Sequence, residues 1–111
     1  MTRWMWCVLL GTLATGCRGA ITCPTPATSV TYQDVAPIFE AKCNGCHATY
    51  RTGASRYGAP DHYNYDTYEA ASSSASRTAE AVIGGSMPYG GAMSDHDACT
   101  IQAWVDAGAP L

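Results

Sequence analysis

The fold turns on Tyr32-Gln-Asp-Val-Ala-Pro-Ile-Phe-Glu-Ala-Lys-Cys-Asn-Gly-Cys-His47. Val35, Ile38, Phe39 and Lys42/Cys43 recur at i, i+3, i+4 and i+7, the stripe of an amphipathic helix. Asp34 is the expected N-cap. It places Pro37 in the first turn, where a missing N–H is tolerated; a start at Thr31 would put that proline in the helix interior, at a cost of about 3 kcal/mol. Asn44-Gly45 supplies the stop.

The same stretch ends in Cys43-Asn44-Gly45-Cys46-His47, the C-x-x-C-H pattern of covalent haem attachment. Two cysteines three apart can reach the two vinyl groups of one porphyrin as thioethers, and the adjacent histidine falls beneath the iron as its proximal ligand. Its second ring nitrogen should donate to a backbone carbonyl, which fixes the ring. With six Cys and three His in 111 residues, random placement gives this pattern about one time in a hundred. A thioredoxin-like redox pair would need a βαβ pattern, and none is present. A zinc site would need a second close pair of ligands, whereas Cys99 stands alone in its region.

Working outward toward the C-terminus, residues 48–65 read as an irregular loop broken by Gly53, Gly58 and Pro60 and kept wet by Arg51, Arg56, Asp61 and Asn64. Its tyrosines, Tyr57, Tyr63 and Tyr65, either cover an edge of the cofactor or lie half-buried at the surface. Residues 66–83 read as one or two short helices capped by Asp66 or Thr67, broken at Ser72–Ser74 and stopped by Gly84-Gly85. The last helix is the clearest. Ser94 and Asp97 have capping-box spacing, Ala98, Ile101, Trp104 and Val105 share a face, and Gly108 with Pro110 ends it. No stretch alternates as a strand would, so the chain reads as all-α.

The sixth iron ligand must come from this region. Met87-Pro88 lies in a loop flanked by Gly84, Gly85, Gly90 and Gly91, and a thioether suits haem iron. Met87 is therefore the expected distal ligand, with Met93, His62 and His96 as rivals.

Toward the N-terminus, residues 1–16 read as an export signal: Arg3 supplies the positive start and Trp4 to Ala14 is an uncharged, mostly apolar run. A buried first helix is the other reading, although no charged residue breaks the run to make a polar face. Leu13-Ala14-Thr15-Gly16-Cys17 resembles a bacterial lipoprotein box, which would make Cys17 a lipidated first mature residue; simple secretion is the alternative. Residues 17–30 carry Pro24 and Pro26 without periodicity and read as a flexible tether, leaving 31–111 as the domain. Without residues 1–16, five basic and nine acidic residues remain, net −4. That balance argues against nucleic acid as a partner. The cysteine content points to an oxidising compartment.

Tyr32 to His47, Met87-Pro88 and Ile101-x-x-Trp104-Val-x-x-Gly108-Ala-Pro110 together resemble the opening, ligand loop and closing segment of bacterial class I cytochrome c domains. One departure is Tyr89, where many relatives have a second proline. The resemblance implies three to five short helices wrapped around one haem c, with no significant sheet. It implies that the first and last helices cross, with Trp104 near the haem or the crossing, and that Met87 is the distal iron ligand. If those helices cross, Cys23 and Cys99 come within reach of a disulfide. The implied function is single-electron transfer, without enzymatic activity, between donor and acceptor redox proteins. The expected location is the periplasmic side of a bacterial membrane, through a lipid anchor. The alternative is a sensor of small ligands, or a peroxidase-like protein, with an open or labile sixth position.

Overall fold

The computed structural model describes residues 21–91 and 93–111. The expected export signal, Cys7 and Cys17 lie outside the described residues. Among the described residues four α-helices follow one another: α1 (Tyr32–Lys42), α2 (Tyr68–Ser73), α3 (Ala75–Gly84) and α4 (Asp95–Asp106). A single 3-10 turn, Gly53–Arg56, interrupts the long loop between α1 and α2. The described residues contain no strand, so the fold is all-α. None of their helices is long and apolar enough to cross a membrane.

The start of α1 corrects the sequence expectation. Thr31, not Asp34, is the N-cap, and Pro37 sits inside the helix. Two interactions favour the earlier start. The Thr31 N–H donates to Asp34 Oδ2 at 2.8 Å, one half of a capping box. The Tyr32 N–H, otherwise one of the unpaired donors of a first turn, donates to the Pro110 carbonyl at 2.9 Å. Pro37 and Gln33 are both exposed, so the Gln33 carbonyl that loses its helical partner faces water.

The remaining ends follow local chemistry. Thr67 caps α2, its hydroxyl accepting from the Ala70 N–H at 3.2 Å. Ser74 separates α2 from α3, and Gly85, at φ 80°, ends α3 in the left-handed conformation that favours glycine. Ser94 caps α4 by accepting from the Asp97 N–H at 3.1 Å.

Val35 and Phe39 from α1 meet Ile101 and Trp104 from α4, all four fully buried. Full burial contributes about 1.5–3 kcal/mol for a side chain such as Phe39. The Phe39 and Trp104 rings meet edge to face, their centroids 5.7 Å apart. Trp104 Nε1 donates to the Pro110 carbonyl at 2.9 Å. Trp104 thus sits where α1 packs on α4 and the chain doubles back. Ala71, Ala75 and Val82 from α2 and α3 complete this core.

A disulfide joins Cys23 to Cys99, with Cα atoms 5.3 Å apart, and fixes the segment before α1 to α4. Ile21 and Val30 pack partly against the core, whereas Pro24 to Ser29 between them are exposed.

Candidate functional site

The C-x-x-C-H segment is a continuation of α1 rather than a separate loop. Cys43 is the C-cap of α1, and its carbonyl accepts from the Cys46 N–H at 3.1 Å and the His47 N–H at 2.8 Å. Asn44 N–H returns to the Phe39 carbonyl at 2.9 Å. Burial of Phe39 therefore carries the turn with it, and the turn sets where the two sulfurs and the imidazole lie.

Three links then clamp His47 to the far end of the loop. Its Nδ1 is 2.9 Å from the Tyr63 carbonyl. A carbonyl can only accept, so Nδ1 carries a proton, and in the neutral ring the lone pair lies on Nε2. Nε2 has no hydrogen-bond partner among the described residues. The His47 carbonyl accepts from the Tyr65 N–H at 3.0 Å. Two residues on, the Thr49 N–H donates to Asp66 Oδ1 at 2.8 Å, and the Thr49 hydroxyl donates to Oδ2. Desolvation alone would raise the Asp66 pKa, but the two Thr49 bonds, its own backbone N–H and the Arg56 charge together hold the carboxyl below its ordinary value.

Arg56 departs from the expectation that the charged residues of this loop face water, although Asp61 and most of the loop are exposed. Arg56 is 3 % exposed. Its Nε donates to the Ala59 carbonyl, Nη1 to those of Ala48 and Arg51, and Nη2 to those of Pro60 and Tyr63. Asp61, 3.4 Å away, is almost fully exposed. Tyr65 is buried as well. Its ring packs on Phe39 at 5.0 Å and edge-on to His47 at 5.5 Å. Its hydroxyl lies 2.7 Å from Thr78 Oγ1, which spends its own proton on the Ser74 carbonyl at 2.9 Å, so Tyr65 is the donor.

Cys43 and Cys46 are both free thiols, each half-buried. Burial, and then the neighbouring Cys46, push the Cys43 thiol up to about 12. The attacking cysteine of a thiol-exchange pair works with a lowered pKa, and Cys43 is shifted the other way. Among the described residues, no three His, Cys, Asp or Glu side chains cluster as a metal site would require. Covalent haem attachment asks for two free thiols and an imidazole whose second nitrogen is already bonded, and these residues supply both. The residues fit the group.

The ligand candidates separate by environment. Met93 is buried within the core, whereas Met87 is 38 % exposed in the loop after α3, where its N–H reaches the Ala81 carbonyl. His62 is exposed and its ring lies tilted against that of Tyr63, with centroids 4.1 Å apart. His96 is exposed beside Asp97.

Sequence reasoning expected a backbone carbonyl on His47 but did not identify Tyr63 as its source, and it placed Arg56 in water rather than beneath the loop. The Tyr63 contribution is a main-chain carbonyl, which no side-chain pattern announces. The one available signal for Arg56 was its setting among Gly53, Gly58 and Pro60, turn-formers that leave carbonyls without helical partners.

The chain matches no protein-family model and shows no significant similarity to a curated protein or a solved structure. Its likeness to a family rests on the motifs alone.

Proposed function

We propose that this chain is a mono-haem c-type cytochrome that transfers single electrons on the exported side of a bacterial membrane. One observation carries the reading. His47 is held by the Tyr63 carbonyl in the tautomer that leaves Nε2 free, beside two free thiols at C-x-x-C spacing. That is the donor set of covalent haem attachment, with the second partner of the histidine already supplied.

In this reading Cys43 and Cys46 hold the haem through thioethers and His47 Nε2 is the proximal iron ligand. When bound, the haem supplies a one-electron iron couple. The chain's own residues bind, orient and shield it. Tyr63 and the Tyr65 ring set the angle of the imidazole, and Phe39 anchors the turn that bears the cysteines. Met87 is the distal ligand: it is the exposed thioether, and Met93 is committed to the core. Trp104 acts through the α1–α4 packing. Donor and acceptor are redox proteins, and the acidic balance of the chain favours basic ones. Lipidation of Cys17 would tether the domain to the membrane.

The exposure of Met87 also favours a second reading, in which that thioether leaves readily and the sixth position takes a small gas or peroxide. One experiment addresses both: visible spectra of the oxidised and reduced protein, produced in a host with cytochrome c maturation. Sharp c-type bands on reduction are expected. A weak far-red methionine–iron band in the oxidised form should vanish in Met87→Ala. Covalent haem without that band, together with rapid carbon monoxide binding, would favour the open-site reading. Absence of covalent haem would overturn both.

A further inference from the structure

We propose that Arg56 is the positioning residue of His47: its buried guanidinium holds the Tyr63 carbonyl that receives the His47 Nδ1 proton, and so sets the orientation and basicity of the imidazole. This rests on the haem ligation proposed above.

A guanidinium has five N–H donors in a fixed fork. All five are used, each on a different main-chain carbonyl: Ala59 at 3.1 Å, Ala48 at 2.9 Å, Arg51 at 3.3 Å, Pro60 at 2.6 Å and Tyr63 at 3.2 Å. Left-handed residues at Gly53, Tyr57 and Gly58 fold the loop around it. Satisfying a loop's carbonyls would itself be an ordinary structural task. What sets Arg56 apart is the fifth acceptor. The Tyr63 oxygen has two lone pairs, and its partners are Arg56 Nη2 and His47 Nδ1, the latter at 2.9 Å. The orientation of the imidazole is therefore tied to the guanidinium through one atom.

The charge of Arg56 is as informative as its position. Its carboxylate neighbours are Asp61, almost fully exposed and water-screened, and Asp66, on whose carboxyl its charge acts only weakly, so the direct contacts to the buried cation are carbonyl dipoles. Two electronic effects follow, and both have the same sign. A guanidinium on the Tyr63 oxygen draws density from it, weakening its pull on the Nδ1 proton and leaving the imidazole less electron-rich. A cation near the site also disfavours the additional positive charge of oxidised iron. Each favours the reduced state, so loss of the charge should lower the reduction potential.

The experiment compares haem-loaded wild type, Arg56→Gln and Arg56→Lys by reduction potential and by exchange of the His47 Nδ1 proton in histidine-labelled protein. Arg56→Gln should lower the one-electron reduction equilibrium constant about tenfold, or 59 mV, and speed ring-proton exchange at least ~10-fold through loss of the clamp. Arg56→Lys should recover most of the potential but not the slow exchange, because one ammonium cannot span five carbonyls. Unchanged exchange in folded, haem-loaded Arg56→Lys overturns the proposal, whatever the potential does. Should neither variant fold, wild type still decides. The Arg56 guanidinium protons and the His47 ring proton should then lose protection together on warming; a ring proton that exchanges freely while those of Arg56 stay protected overturns it. Wild type that takes no covalent haem refutes the functional reading instead.

Discussion

Tyr32, Val35, Phe39, Ile101 and Trp104 hold one half of the molecule together; His47, Arg56, Tyr63 and Asp66 hold the other. The first group works by removing apolar surface from water, with the α1 and α4 stripes facing each other. The second works by directed hydrogen bonds, most of them to main-chain oxygens, and its central side chain is a cation. The contrast has a physical origin. Helices satisfy their own backbones, so their packing can be apolar. A folded-in loop brings unpaired carbonyls with it, and something must donate to them. Burial without direction suffices for the frame, whereas a ring that must present one nitrogen needs angles as well as distances.

The sharpest way to break the apolar half is Trp104→Ala. It removes a fully buried ring and one of two donors to Pro110, and should cost about 3–5 kcal/mol. A urea-denaturation midpoint close to that of wild type would show that the crossing is less decisive than its burial implies. Tyr65→Phe tests the seam between the halves, since that ring touches both Phe39 and His47. Packing is kept and one buried hydrogen bond is lost, so the expected cost is about 1 kcal/mol by the same measurement. A much larger loss would move the hydroxyl into the polar network. Asp66→Asn is the mildest probe. The folded carboxyl lies below its ordinary value, so it contributes stability above the unfolded pKa of about 4. That contribution is lost as pH falls through the folded value. With solvent screening the effect should stay below about 0.5 kcal/mol. Denaturation midpoints between pH 3 and 6 should show wild type losing a small advantage over the variant at the acid end; parallel curves would remove Asp66 from the clamp.

The sequence made the apolar half largely legible because its signals are local. The caps at Thr67 and Ser94, the break at the serine run and the glycine stops at Gly85 and Gly108 fall within a few residues of what they control. The α1 cap was misplaced for the opposite reason. Choosing Thr31 over Asp34 depends on Tyr32 finding the Pro110 carbonyl, far along the chain. The polar half was legible only at its reactive end. Cys43, Cys46 and His47 declare themselves by spacing, but the oxygens that position His47 and surround Arg56 belong to the backbone, and every residue has one.

The Pro110 oxygen accepts from both the Tyr32 amide and the Trp104 indole, one lone pair for each. A single excursion of the chain's last turn therefore exposes both donors at once. The start of α1 and the indole of α4 then belong to one cooperative opening unit rather than two. Fraying at this end would loosen the register of the helix whose other end carries Cys43.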